Sequence, residues 1–347
     1  MKKKIFLSGS KALAEGAIFS GCRYYYGAPK IINSEILKYM ANRLPEVNGV
    51  FVQAENERSA IGMLLGSAIA GARVLTTSTT EGISFMEGGF SYLCGMELPC
   101  VIGNIMTGRF GLKNFEPTQA GYTQAVRGEG TGNFKFIVLA PHSVQEVYEL
   151  TTKAFELADK YRNPVMILLD SALAQLIDEL EIETELLHPD LMDKKSWKLD
   201  GANGRNPNIF KGYYQDESPK YNNIFSKFKL LESETMAEEF MVKDADEIIV
   251  AFGLMARVAK DIILKLRAKG KKIGLFRPIS LSPFPKEQLK KCLKKSKKVK
   301  VIEANSGSMY LDVVNILEKD NISVSFLGES ETLIGFRNII NQLEEVL

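Results

Sequence analysis

A chain of 347 residues with a quarter of its side chains charged and a net charge of only +2 is long enough for roughly two or three separate cores. It lacks the basic excess that nucleic-acid binding draws on, and the Lys-rich runs at 1–4 and 290–300 read as solvated surface. Four cysteines without paired spacing (Cys22, Cys94, Cys100 and Cys292) and two histidines, His142 and His188, argue against a zinc or iron–sulfur site made by this chain alone.

The start, MKKKIFLSGSKALAEGAIF, has too brief an apolar run for a signal-peptide core, and no stretch approaches the roughly 20 apolar residues of a membrane span. A cytoplasmic protein is expected. FVQA, after the turn-prone Asn48-Gly49, predicts a buried strand ending just before Glu55, and Asn56 is placed to cap the helix that follows. Ala60, Ile61, Gly62, Leu64, Leu65, Gly66, Ala68, Ile69, Ala70 and Gly71 leave that helix almost no polar face, which predicts burial on all sides. RVLTTST predicts the next strand. EGISFMEGGFSYLCGMELPCVIGNIM predicts a loop, a helix and a further strand, so the order is βαβαβ with a parallel sheet. Cys94 and Cys100 in that passage read as core thiols. Ligands of such sheets sit at the C-terminal ends of the strands.

GEGTG at 128–132 neither follows a clear strand nor opens a convincing helix, and reads as a loop rather than a phosphate cradle. Beyond it come a strand, a turn at Pro141, an amphipathic helix from about Ser143 to Tyr161 and a strand over 164–170. Ser143 and Glu146 have capping-box spacing. The first domain is expected over 1–174. Residues 175–245 change character, being rich in Asp, Glu, Lys, Asn, Gly and Tyr, and read as a connecting segment. From 246 to 347 periodicity resumes: EIIVAFG, KIGLFRPIS, KVKVIEAN and ISVSFLG as strands alternate with helices over LMARVAKDIILKLRAKG, PKEQLKKCLKKS and SGSMYLDVVNILEKD. That is a second, smaller α/β domain.

Glu57 is the first candidate for chemistry. A carboxyl at a strand-to-helix junction among apolar side chains is expected to have a pKa raised by desolvation, as a proton-sharing group requires. Glu55 and Glu57 equally suit an ordinary first helical turn, where the macrodipole favours acids.

The runs GCRYYYGAPKIINSEILKYMANRLPEVNGVFVQAENERSAI, TTSTTEGISFMEGGFSYLCGMELPCVIGNIM, LAPHSVQEV, KYRNPVMILLD and FGLMARVAKDIILKLRAKGKKIGLFRPISLSPFP together resemble the α subunit of the 2-oxoacid:ferredoxin oxidoreductases, nearest the 2-ketoisovalerate and 2-oxoglutarate type. The resemblance covers nearly the whole chain. It implies a domain with a parallel sheet that binds the aminopyrimidine of thiamine diphosphate, followed by a transketolase C-terminal-like α/β domain. It further implies a β subunit carrying the diphosphate and Mg²⁺ site, iron–sulfur clusters on partner chains, a γ subunit, ferredoxin as acceptor and coenzyme A as co-substrate. The heteromer is expected to be doubled by a two-fold. Consistent with that division, this chain has no Gly-Asp-Gly followed by Asn for a Mg²⁺–diphosphate site and no cysteine array.

Glu57 falls on the second acid of the family's Glu-x-Glu, which the resemblance implies hydrogen-bonds the pyrimidine N1′ and so promotes deprotonation of the thiazolium C2. The same resemblance places Pro29, Ile31 and Thr80 at the cofactor, and Lys30, Asn33, Thr107 and Arg109 at the substrate. This chain departs from the pattern at that site. Ile31 replaces a threonine, Thr107 stands where the family has an arginine, Glu81 replaces Pro or a small residue, and Ser308 replaces a glutamine. Arg109 or Lys30 could restore the cation, and Arg109 has the planar fork that suits a carboxylate; both also read as ordinary loop charges. Two expectations follow: an active subunit with an atypical substrate, or a non-catalytic homologue that binds thiamine diphosphate or acts as a scaffold in the heteromer. The buried small-residue helix behind Glu57, with Gly62, Gly66 and Ala70 on one face, is expected at a subunit interface.

Overall fold

The computed structural model describes residues 2–29, 34–107, 118–128, 134–183, 195–202, 204–208, 220–294, 296–328 and 338–343. The chain begins with β1 (Lys2–Ser8) and α1 (Gly9–Phe19), and then builds β2 (Tyr24–Gly27), α2 (Ser34–Glu46), β3 (Val50–Gln53), α3 (Glu57–Ile69) and β4 (Val74–Thr79). Two short helices, α4 (Thr80–Ser84) and α5 (Glu87–Gly95), precede β5 (Cys100–Met106); α6 (Tyr122–Arg127), β6 (Ile137–Leu139), α7 (Val144–Tyr161) and β7 (Pro164–Asp170) follow. Among the described residues these strands form a sheet in the order β12-β6-β7-β5-β4-β2-β3, parallel except for β12 (Ser280–Ser282), which reaches in from the C-terminal part of the chain.

That order has a physical consequence. The chain passes from β2 outward to β3 and then returns to the other side of β2 to lay down β4, so the direction of winding reverses between β2 and β4. A crevice opens at the carboxyl ends of strands where winding reverses. β4, β5 and β7 are buried along their whole length, and each fully buried Leu, Ile or Val among them contributes ~1.5–3 kcal/mol. The hydroxyls of β4 would be costly there without partners. Thr76 donates to the Tyr26 carbonyl at 2.6 Å and Thr77 pairs with the Tyr25 hydroxyl at 2.6 Å. Cys94 and Cys100 are core thiols, both buried.

Residues 175–245 contribute more structure than a plain connector. α8 (Ser171–Gln175) leads into β8 (Ile177–Glu183), which pairs antiparallel with β1 as a two-stranded ribbon, and α9 (Lys220–Leu231) leads to β9 (Ala237–Phe240). β9 joins β10 (Glu247–Val250), β11 (Ile273–Pro278), β13 (Lys298–Glu303) and β14 (Ser323–Gly328) in a second sheet ordered β14-β13-β10-β11-β9, with only β9 antiparallel. Its helices are α10 (Gly253–Ala268), α11 (Lys286–Cys292) and α12 (Ser308–Leu317). KIGLFRPIS is not one strand. It divides after Pro278, and the second piece, β12, changes sheets to pair with β6.

Helix α3 corrects one expectation. It is not buried on all sides: Glu57, Ala60, Ile61, Leu64 and Ala68 face the sheet, while Gly62, Met63, Gly66 and Ala70 are exposed. A side chain added at Gly62 or Gly66 would meet nothing within 4 Å among the described residues. The sequence is apolar around most of the helix, but the described residues cover only one face of it.

Candidate functional site

Glu57 opens α3 directly above the β2–β4 crevice. Asn56 caps the helix, its side-chain oxygen accepting the Ser59 N–H at 3.0 Å. The cap fixes the first turn, and the turn aims Glu57 inward. Its side chain is 5% exposed, whereas Glu55, two residues earlier, is exposed. A first-turn acid serving only the helix dipole has no need of burial, so the macrodipole does not account for this placement. Ser78, near the end of β4, donates its hydroxyl to Glu57 Oε1 at 3.3 Å.

The first turn of α4 closes over this carboxyl. A Cβ built on Gly82 would lie 1.9 Å from Ser78 Oγ and 2.7 Å from Glu57 Oε1. Only a glycine permits the approach. Thr79 caps α4 by accepting the Gly82 N–H, which sets the turn. The result is a cradle in which a buried carboxyl is held by a hydroxyl and covered by backbone, an environment suited to holding a proton against a ring nitrogen.

Three other predicted site residues lie on the same sheet edge. Pro29 is exposed two residues beyond β2, Thr80 follows β4 and Thr107 follows β5, both half-buried. Thr80 donates to Asn104 Oδ1 at 3.2 Å. Lys30, Ile31, Asn33 and Arg109 lie outside the described residues, as do His188 and most of the GEGTG segment. Glu81 is exposed on the α4 turn, and Ser308 begins α12 in the second unit, where its N–H donates to Asn305 Oδ1 at 3.1 Å.

Sequence reasoning missed Asp170, the last residue of β7. It is fully buried, and its carboxylate accepts the Leu254 N–H at 2.8 Å, capping the start of α10 in the second unit. Gly253 adopts φ +54, and a Cβ there would meet Asp170 Oδ2 at 2.2 Å. Burial pushes the Asp170 carboxyl up to about 7, against hydrogen bonds from Leu254 and Gln119 that lower it. A charged residue ending an otherwise apolar parallel strand was the available signal. Because the folded value lies above the ordinary one, the favourable contribution is complete below pH 3.8 and is lost as pH rises through about 7. That loss is worth ~4 kcal/mol. Asp170→Asn is expected to flatten the stability profile over this range, gaining most at pH 8 and least at pH 5; equal pH profiles for the two proteins would contradict it.

His142, Glu146 and Glu238 place three donor atoms within 4.8 Å of one another, as a metal site would. Cations of the chain already fill that role. Arg277 Nη1 and Nη2 donate to Glu146 at 2.9 and 2.6 Å and its Nε to Glu238 at 2.8 Å, while Lys260 pairs with Glu238 at 2.5 Å. Lys260 Nζ lies 3.2 Å from His142 Nε2, and His142 Nδ1 lies 2.7 Å from Glu146 Oε2. The ring joins α7 of the first unit to β9, α10 and β11 of the second.

Comparison with known proteins finds matches along most of the chain. Residues 15–225 match the thiamine diphosphate-binding model of pyruvate flavodoxin/ferredoxin oxidoreductase, and residues 245–331 match pyruvate:ferredoxin oxidoreductase core domain II. The chain is 40% identical to the ketoisovalerate oxidoreductase subunit VorB of Methanothermobacter marburgensis over 98% of its own length and 97% of the relative's. It is 32% identical to the 2-oxoglutarate synthase subunit KorA of Methanocaldococcus jannaschii, over 90% and 92%. Among solved structures it superposes on the 2-oxoglutarate:ferredoxin oxidoreductase from Magnetococcus marinus with a TM-score of 0.81 at 22% identity, covering 99% of this chain and 65% of that one. A split-gene transketolase in an inactive β4 tetramer gives 0.62 at 14% identity, over 98% and 97%. The structural likenesses speak for the fold, and the sequence matches for descent: the chain belongs to the pyruvate flavodoxin/ferredoxin oxidoreductase family, of which it carries the thiamine diphosphate-binding domain and core domain II.

Proposed function

We propose that this chain is the α subunit of a thiamine diphosphate-dependent 2-oxoacid oxidoreductase that forms acyl-CoA. The overall change takes a 2-oxoacid and coenzyme A to acyl-CoA and carbon dioxide, with two electrons leaving through iron–sulfur clusters on partner chains to ferredoxin. The observation that carries this reading is the Glu57 carboxyl, buried at the winding reversal beneath Gly82. Thiamine diphosphate, when bound, supplies the nucleophilic carbon at which a 2-oxoacid loses carbon dioxide. Glu57 holds and returns a proton at the pyrimidine N1′. Ser78 orients the carboxyl, and the α4 backbone keeps water from it. The family resemblance assigns Pro29, Ile31 and Thr80 to the cofactor, and Arg109 or Lys30, with Asn33 and Thr107, to the substrate carboxylate.

The diphosphate and Mg²⁺ site belongs to a β subunit in this reading, with a γ subunit completing the heteromer and a two-fold doubling it. The exposed face of α3 supports such assembly: Met63 lies beside two open glycines, and Phe85 and Tyr92 on the neighbouring short helices are 47% and 55% exposed. In this reading a partner chain covers these exposed apolar side chains. The chain has no helix long and apolar enough to cross a membrane among the described residues, and the cytoplasm is the proposed location.

The test is anaerobic viologen reduction by the native complex with thiamine diphosphate, Mg²⁺, coenzyme A and a panel of branched, aromatic, linear and dicarboxylic 2-oxoacids. The 40% identical ketoisovalerate relative puts branched acids first in the panel. Reduction with one acid identifies the substrate. The replacements Ile31 and Thr107 favour a second reading, a subunit that binds the cofactor without turnover; a complex holding cofactor and clusters yet inert to every acid would establish it. Gly82→Ala is expected to push Ser78 and Glu57 apart and to weaken thiamine diphosphate binding by about tenfold or more, the effect of losing one buried polar contact. Unchanged affinity in a titration of the variant complex would remove the cradle from the argument.

A further inference from the structure

Helix α6 and the turn that leads into it, residues 118–127, touch both the second unit and the α4 turn over Glu57. On the second-unit side, Gln119 N donates to the Ala304 carbonyl at 2.9 Å, its Oε1 accepts from Ala304 N at 3.1 Å, and its Nε2 donates to the Phe252 carbonyl at 2.9 Å. The Tyr122 hydroxyl donates to Asp312 of α12 at 2.8 Å, and Arg127 pairs with the same carboxylate. Gln119 and Tyr122 are both almost fully buried, so neither bond is exchanged cheaply for water.

On the site side, Gln124 Nε2 donates to Ser84 Oγ at 2.7 Å and lies 3.4 Å from Glu87 Oε1, which ties α6 to the end of α4 and the start of α5. Gly121 presses closer still. A Cβ there would sit 2.9 Å from Thr80 Oγ1 and 3.0 Å from Met106 Cγ. α4 is only five residues long, with Thr80 at its start against Gly121 and Ser84 at its end bonded to Gln124, while its glycine faces the carboxyl. A single-turn helix has little stability of its own and takes its position from what it packs against.

We propose that α6 is a strut that positions the α4 turn against Glu57, with Gly121 and Gln124 as its supports at the site and Gln119 and Tyr122 as its anchors in the second unit. The proposal deepens the functional reading above and rests on it for what the cradle binds. It gives the second unit a part in the chemistry that acts through the α4 turn. Tyr122 and Gln124 are positioning residues, acting through the backbone of α4.

The test is hydrogen–deuterium exchange and thiamine diphosphate titration on the whole complex, with Tyr122→Phe, Gln124→Ala and the double variant. Tyr122→Phe keeps the ring against Phe252, 5.5 Å between centroids, and deletes only the hydroxyl that bonds Asp312. The amides of 80–87 are expected to exchange about tenfold faster in either variant, with strands β4 and β5 unchanged and the unfolding midpoint nearly so. Cofactor affinity should fall about tenfold in each, and the double variant should fall by less than the product, because both act on one turn. Wild-type exchange at 80–87 in both single variants would overturn the strut, and so would effects that multiply independently. The exchange readout needs no cofactor, so it decides the strut even if the complex binds no thiamine diphosphate, an outcome that would sink the functional reading instead.

Discussion

Replacing Glu57 with Gln is expected to lower viologen reduction by the native complex ~10²–10⁴-fold, the usual worth of a positioned acid–base group. The substitution keeps size and shape and removes only the ability to carry and release a proton. Ser78 can still donate to the amide oxygen, and the Asn56 cap lies outside the change. The fold should survive, so the loss should appear in kcat while KM for the 2-oxoacid moves little. The burial of this carboxyl beneath Gly82 is the reason for expecting a large effect: a covered carboxyl is shielded from the bulk solvent that would otherwise take over its proton transfer. A Glu57→Gln complex within about threefold of wild type would show that this carboxyl carries no step of the chemistry, since even a modest acid–base contribution exceeds that.

Arg277→Met should destabilise the protein by ~3–5 kcal/mol, the cost of removing one partner from a buried ion pair. Arg277 is 1% exposed and serves both oxygens of Glu146 as well as Glu238. Methionine fills much of the volume and leaves two acids with Lys260 and His142 as their remaining partners. Arg277→Met combined with Glu146→Leu should recover part of the loss, because the stranded charge goes with it. Urea unfolding at pH 7 measures both. A single variant within about 1 kcal/mol of wild type would mean that the ring is solvated and holds nothing.

The acid limb of the stability profile gives an independent reading. Burial pushes the Glu146 carboxyl up, but hydrogen bonds from His142 and Arg277 and the Arg277 charge outweigh it and bring it down to about 2. The folded value lies below the ordinary 4.5, so its contribution is complete above pH 4.5 and is lost as pH falls toward 2. That step is worth ~3 kcal/mol and should shrink in Arg277→Met. Asp170 acts in the opposite sense and in a higher window, so the two acids can be separated in one pH series.

Much of the local structure was legible. The strand expected over 164–170 is β7 residue for residue, Ser143 caps α7 by accepting the Glu146 N–H, and Asn56 caps α3. These features depend on periodicities and side chain-to-backbone bonds within a few residues, which a sequence displays directly. The capping-box reading of Glu146 was only half of the matter. Its side chain reaches back to the His142 N–H at 3.0 Å, one residue before the cap, and otherwise turns to Arg277, 131 residues away.

The sequence by itself determined that this is an α/β chain, that Glu57 begins a helix shortly after a strand, and that its segments follow the order of a known family. Tertiary structure decided the rest. It covered Glu57 with Gly82 and left Glu55 in solvent, carried β12 across to the first sheet, paired β1 with β8, and set Asp170 under the first turn of α10. Among the described residues it also left one face of α3 open, which a largely apolar helix cannot announce, because hydrophobicity does not state which neighbours cover which face. Each of these outcomes is a contact between residues distant along the chain. Their energies arise from burial and charge pairing that exist only once the chain has closed on itself, and no local pattern encodes them.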